Sequence, residues 1–143
     1  MTEADLAVNA MQERRLRGTR PGYGWLSEES PDGSARRECE QVFIIGPIDG
    51  TRAFIAGEST FSHSLAVAPN GLVTAAVVYV PARDLMFAAS LDGVATCNGD
   101  VISASGRAEV AGANILTTKA NLAPQHWIGP VPDVTRSFRA SVA

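Results

Sequence analysis

The sequence predicts an α/β chain of the α+β kind, an N-terminal helix followed by an antiparallel sheet, and three observations carry that prediction. Thr2 and Asp5 stand in the S/T-x-x-D/E spacing that satisfies the free N–H groups at a helix start, ahead of a run rich in Ala, Leu, Met and Arg. From residue 62 onward the apolar pattern takes a period of two, in short runs separated by turn residues. One of those separators is Asn98-Gly99, and Asn-Gly is the strongest short-range hairpin signal.

Taken in order, the first element is a helix over residues 4–17, ended by Gly18. Its apolar side chains, Leu6, Ala7, Ala10 and Met11, make a narrow face that needs a larger neighbour to bury it, expected from a segment upstream. Residues 18–24 read as a Gly- and Pro-rich loop into a short strand at 25–27, and the polar stretch 30–40 as a surface loop with Pro31, Asp32 and Gly33 in turn chemistry. Residues 42–45 are wholly apolar, long enough for a buried strand that Gly46-Pro47 is expected to stop. A short helix at 51–56 follows, with Gly57 placed to end it. Strands are then expected at 62–68, 72–80, 85–90, 94–97 and 101–103, an antiparallel meander. A further strand at 113–118, a Pro- and Gly-rich loop at 122–133 and a helix-compatible stretch at 136–143 complete the pattern. The expected division is 1–111 for the helix and sheet, and 112–143 for the start of a second half.

Composition removes several classes of function. With 143 residues, 45% of them apolar and 19% charged, the chain has enough material for a core and is no disordered tail. Twelve basic against fifteen acidic side chains leave a net charge of −3, without the basic field that binds nucleic acid. The longest apolar stretch, 72–80, is far short of the roughly 20 residues that cross a membrane as a helix. Cys39 and Cys97 stand apart, in no CxxC, which argues against zinc and against a disulfide scaffold. Residues 1–20 do not read as a secretory leader, so the expected compartment is the cytoplasm.

Two acidic clusters hold the chemistry. Glu28-Glu29 follows a strand, where a carboxylate can offer oxygen to a hard cation or simply sit in solvent. Asp49-Gly50-Thr51 precedes a short helix, so the N–H groups of Gly50 and Thr51 face outward where a phosphate is attracted. The alternative is that Asp49 and Thr51 only cap the helix.

The block GWLSEES at 24–30, followed by VFIIGPIDGTRAF at 42–54 and preceded by TEAD at 2–5, resembles the metal site of the inositol monophosphatase family. The resemblance implies a sugar-phosphatase-like layered fold and a Mg²⁺-dependent phosphatase acting on a phosphate monoester of a small metabolite. It also implies a longer chain, so the C-terminal half is expected to be largely missing, together with a W-D-x-A-A/G block and its late aspartate. Carried over by position, Glu28 matches the ligand of a first metal, Ile48 the residue that offers its carbonyl to that metal, and Asp49 a ligand of a second. Asp5 and Thr51 match the catalytic pair that positions and deprotonates the attacking water, while Gly50 and Thr51 match the phosphate-binding N–H groups. Gly46 is the departure: it stands where the family signature D-P-I/L-D-G-T begins with an aspartate that bridges two metals, and glycine has no side-chain oxygen. Weak or single metal binding is the expected result.

The substrates implied are inositol monophosphate or 3′-phosphoadenosine 5′-phosphate, the latter suggested by the TRAF continuation after Asp49-Gly50, with histidinol phosphate as a third candidate. Gly46 also supports an alternative class, a non-catalytic remnant, pseudoenzyme or dimerisation module of the same family. Uncovered apolar strand surface would drive self-association, as a homodimer or by aggregation. Other residues invite a role with a plainer reading beside it. His63 is a general base or a packed strand residue, and His126-Trp127 a pocket wall or a loop anchor. The arginines 14, 15, 17 and 20 steer an anion or make a solvated helix face, and Arg52 contacts a second phosphate or pairs with a surface acid.

Overall fold

A computed structural model describes residues 1–115, 122–134 and 136–137. The chain divides into two compact units, Met1–Ser103 and Ala104–Ala143, where the sequence pattern suggested 1–111 and 112–143.

Unit one begins with α1, Glu3–Thr19, two residues longer at its end than Gly18 suggested; the Arg20 N–H and the Thr19 hydroxyl both donate to the Leu16 carbonyl there. Thr2 caps its start, and the expected capping box with Asp5 is present. The expected apolar face is not the buried one. Leu6 is 46% exposed and Met11 37%, whereas Asp5 and Asn9, one turn apart, are buried as the helix packs on the sheet. Polar side chains can take that place because local partners stand ready: Thr2 for Asp5 and the Ser30 hydroxyl for Asn9.

Seven strands make one sheet in chain order: β1 Gly24–Ser27, β2 Gln41–Asp49, β3 Ser62–Pro69, β4 Ala75–Val80, β5 Leu85–Ser90, β6 Thr96–Cys97 and β7 Asp100–Val101. From β2 onward every pair is antiparallel, as the period-two pattern predicted. β1 instead runs parallel to β2, which makes the sheet mixed. Between these two strands the chain crosses through a short 3₁₀ turn, Ser34–Glu38, where Arg36 grips the Asp32 carboxylate at 2.5 and 2.8 Å.

β2 does not stop at Gly46-Pro47. Its register against β3 holds from Gln41 to Gly46 and resumes, shifted, at Asp49 opposite Ser62. Pro47 has no N–H for the ladder, and a strand tolerates proline at such an irregularity, so the strand bends there and continues. Phe43, Ile45 and Ile48 are 3–5% exposed and Pro47 is fully buried, so this strand supplies most of the core. Burying each of the three large side chains contributes about 1.5–3 kcal/mol. Tyr23 and Trp25 add rings at 4.9 and 6.3 Å from Phe43.

The turn chemistry is as the sequence foretold. Asn98 and Gly99, at φ 51° and 90°, make the β6–β7 hairpin, and the Asn98 amide also ties back to β5, accepting from the Met86 N–H at 2.7 Å. Leu72 and Val73 lie outside β4, which begins at Ala75, and both are exposed. In unit two, β8 Asn114–Ile115 pairs in parallel with β9 Arg136–Ser137. Thus 136–137 are strand rather than the expected helix start; residues 116–118 and 138–143 of those expected elements lie outside the described residues. A 3₁₀ turn, Pro124–His126, sits inside the expected loop.

Leu72, Val78, Met86 and Leu91 are exposed, Val78 and Met86 on opposite faces of the sheet, and sedimentation velocity on the purified chain should show self-association that deepens with concentration. A concentration-independent monomer would contradict this.

Candidate functional site

The end of β2 and the end of β1 come together because the two strands run in parallel, with Ser27 paired to Ile45. Glu28, the first residue past β1, therefore lies beside Gly46 and faces the same groove as Asp49. That groove, about 590 Å³, has Glu28, Asp49, Gly46 and Ser64 at its polar end and Leu26, Ile44, Ala66, Ala76 and Val78 along the sheet. Glu28 and Asp49 are both exposed. Ser27 is buried, and its hydroxyl and carbonyl accept the N–H groups of Glu29 and Ser30 at 3.2 and 3.3 Å, which shapes the turn that carries Glu28.

Past Asp49 the backbone turns sharply into α2, Thr51–Ile55. Gly50 is left-handed at φ 87°, and a Cβ there would stand 3.0 Å from the Thr60 carbonyl, so only glycine fits without strain. No side chain caps α2. The Thr51 hydroxyl donates instead to the Ile48 carbonyl at 3.2 Å, so the capping reading of Asp49 and Thr51 is set aside. Phe54 packs edge-on against Phe61 at 5.1 Å, which anchors this helix to the start of β3.

Asp5 stands apart from the groove's lining. One carboxylate oxygen, Oδ2, receives the Thr2 backbone N–H and, at 2.8 Å, the Thr2 hydroxyl; the other, Oδ1, is buried without a hydrogen-bond partner. Asn9 Oδ1 and Gln12 Oε1, further along the same helix, are likewise buried and unpartnered. Three acceptors in a row can be satisfied only by donors or by a cation.

His63 is a packed residue. Its Nδ1 contacts the Pro47 carbonyl, which can only accept, so Nδ1 carries the proton, and its ring lies 6.2 Å from Phe61 and 6.5 Å from Tyr79. Arg17 pairs with Glu13 at 2.9 Å, in keeping with a solvated helix face. Cys39 and Cys97 are free thiols. Tyr79 donates to Asp84 at 3.1 Å, and that bond pushes its phenol above the usual range.

A model of the inositol monophosphatase family matches residues 1–129. The chain belongs to that family. Among its relatives, an inositol-1-monophosphatase of Mesorhizobium japonicum is 33% identical over 108 residues, 75% of this chain and 40% of that protein. A 3′-phosphoadenosine 5′-phosphate phosphatase of Mycobacterium bovis is 40% identical over 85 residues, 55% of this chain and 32% of that one. The solved structure of the extragenic suppressor protein suhB of Bartonella henselae superposes with a TM-score of 0.72 at 30% identity, covering 79% of this chain and 43% of the other. The chain spans less than half the length of these relatives. The layered fold that the sequence resemblance implied is thus the fold found, with α1 and the sheet as the part represented.

In this family member the groove's donors can be weighed against the metal that the resemblance implies. Among the described residues no three of His, Cys, Asp and Glu gather as a metal-binding group. Glu28 and Asp49 supply two carboxylates, and position 46, beside Glu28 in the groove, supplies none. Mg²⁺ keeps several waters and takes one or two carboxylates, so the set fits one such cation and is too poor in charge for a pair. Sequence reasoning missed two polar residues, Asn9 on the buried side of α1 and Ser64 in the groove. Asn9 was legible only as the residue one turn after Asp5, and Ser64 only through the register that sets it opposite Gly46.

Because Thr2 both caps α1 and holds Asp5, Thr2→Ala should destabilise the chain by about 1 kcal/mol in urea unfolding. An unchanged midpoint would show that the capping box adds nothing.

Proposed function

We propose that this chain carries the cation- and phosphate-binding part of a Mg²⁺-dependent phosphomonoesterase that acts on a small phosphorylated metabolite in the cytoplasm. The observation that carries this reading is the convergence of Glu28 and Asp49 on one groove beside the turn at Gly50 and Thr51. Glu28 and Asp49 would hold the cation, with the Ile48 carbonyl as a further oxygen; bound there, Mg²⁺ would supply the charge that polarises a phosphoryl oxygen and acidifies a water.

The chain's own groups then divide the work. Gly50 and Thr51 offer N–H groups to the phosphate at a place where glycine keeps the backbone open to close approach. The Thr51 hydroxyl orients the attacking water; the family motif pairs Thr51 with Asp5 as the proton acceptor, and because Asp5 lies outside the groove's lining that role rests on the motif alone. Substrates of the inositol phosphate and 3′-phosphoadenosine 5′-phosphate kinds are the two that the relatives' names support.

A second reading has Gly46 in its favour. A groove that lacks one carboxylate can bind a cation and a phosphorylated ligand without turnover, as a pseudoenzyme would.

Phosphate release from inositol 1-phosphate and from 3′-phosphoadenosine 5′-phosphate, with Mg²⁺ against EDTA, separates the two. The catalytic reading expects slow release that Mg²⁺ supports, abolished by Glu28→Gln or Asp49→Asn and raised about tenfold or more by Gly46→Asp. Mg²⁺-dependent binding of either compound with release at background in every variant supports the second reading. Neither binding nor release overturns both.

A further inference from the structure

Gly46 and Ser64 face each other directly across β2 and β3. Paired residues of an antiparallel ladder project on the same side of the sheet, so both belong to the groove that holds Glu28 and Asp49. A Cβ added to Gly46 would meet the Ser64 hydroxyl oxygen well inside 3.0 Å, with Ser64 Cβ at 3.8 Å and Glu28 Oε1 at 3.9 Å. All three close neighbours are side-chain atoms, and two of them are oxygens. The space that a side chain at 46 would enter is therefore already occupied by an oxygen, and that oxygen comes from the opposite strand. Among the described residues the Ser64 hydroxyl takes no hydrogen-bond partner.

We propose that Ser64 Oγ stands in for the missing side-chain oxygen at position 46, as a neutral ligand of a single divalent cation held with Glu28. This rests on the cation reading given above. A hydroxyl has two lone pairs to present and one torsion to set, and the glycine at 46 leaves open the volume in which this hydroxyl stands. The exchange has an electrostatic consequence. A carboxylate at 46 would bring a third negative charge to the groove, whereas a hydroxyl leaves the two of Glu28 and Asp49. Two negative charges balance one divalent ion and cannot balance two, so Ser64 preserves coordination for one cation without restoring a pair. The glycine at 46 and the hydroxyl at 64 thus form a coupled pair, and an aspartate placed at 46 would rotate the Ser64 hydroxyl away and take over its role.

The test uses Mn²⁺ as the probe, counted by the electron paramagnetic resonance signal of the unbound ion. The chain should bind one Mn²⁺. Ser64→Ala should weaken binding on the order of tenfold, and Ser64→Cys, which keeps the shape but offers a soft sulfur, should do the same. Ser64→Thr should restore it. In a Gly46→Asp background Ser64→Ala should cost little, because the carboxylate has replaced the hydroxyl. Circular dichroism melting identifies any variant that has lost its fold, and Ser64→Cys then decides in place of Ser64→Ala. Unchanged Mn²⁺ affinity in both Ser64→Ala and Ser64→Cys, with the chain itself binding, overturns the role of Ser64 and leaves the cation reading standing. Equal losses from Ser64→Ala with and without Gly46→Asp also overturn it, since a stand-in cannot matter when a carboxylate already fills the place. Absence of Mn²⁺ binding in every variant, Gly46→Asp included, overturns the cation reading and this proposal together.

Discussion

β2 is hydrogen-bonded along both edges, in parallel to β1 and antiparallel to β3, while α1 packs on its face. That double pairing constrains the rest of the molecule. The strand must present Phe43 and Ile45 to the core and, a few residues later, deliver Asp49 to the groove. Strict alternation would not let Pro47, Ile48 and Asp49 do this in an unbroken ladder, because proline lacks the donor that the ladder needs. The register shift between Gly46 and Asp49 resolves the conflict. It buries Pro47 and Ile48 together and turns Asp49 outward at the point where Gly50 can change the chain's direction.

The groove's chemistry is tied to the same feature. A bend in β2 is tolerable only if its neighbours hold it, and they do so with packed side chains. His63 meets the Pro47 carbonyl and lies between the rings of Phe61 and Tyr79, while Phe61 also receives Phe54 from α2. These aromatic contacts leave the turn at Gly50 braced from β3. On the other edge, Ser27 holds the backbone of Glu29 and Ser30, and Ser30 in turn accepts from Asn9 at 2.9 Å and from the Trp25 indole at 3.4 Å. The helix, β1 and the acidic turn are therefore linked by hydrogen bonds that are partly shielded from water, where such bonds are hard to replace.

α1 shows how local and tertiary demands can be met by one residue. Asp5 completes the capping box with one oxygen and keeps the other buried and free. A capping carboxylate is ordinarily exposed, where water satisfies its remaining lone pairs. Asp5 is instead 0% exposed, so its lone pairs depend on groups within the fold. The buried, unpartnered oxygens of Asn9 and Gln12 extend that polar seam along the face where an amphipathic helix would place leucines.

Much of this was readable without coordinates. The capping box at Thr2, the period-two runs, the Asn98-Gly99 hairpin and the family motifs depend on residues near one another in sequence, so local chemistry alone specifies them. The buried side of α1 was not readable, because it depends on partners such as Ser30 that are far off in sequence, and apolar content pointed to the opposite face. Nor was the continuation of β2 through Pro47, since a proline reads as a stop until a neighbouring strand is seen to shift register around it. Ser64 is the plainest case. In the sequence it is one serine among several, and only the cross-strand pairing sets its hydroxyl in the space beside Gly46. The order of residues dictates which acids, glycines and turns this protein has. Which of them share a groove follows from the folded arrangement alone, because that proximity comes from strand register, a property of two segments that neither encodes by itself.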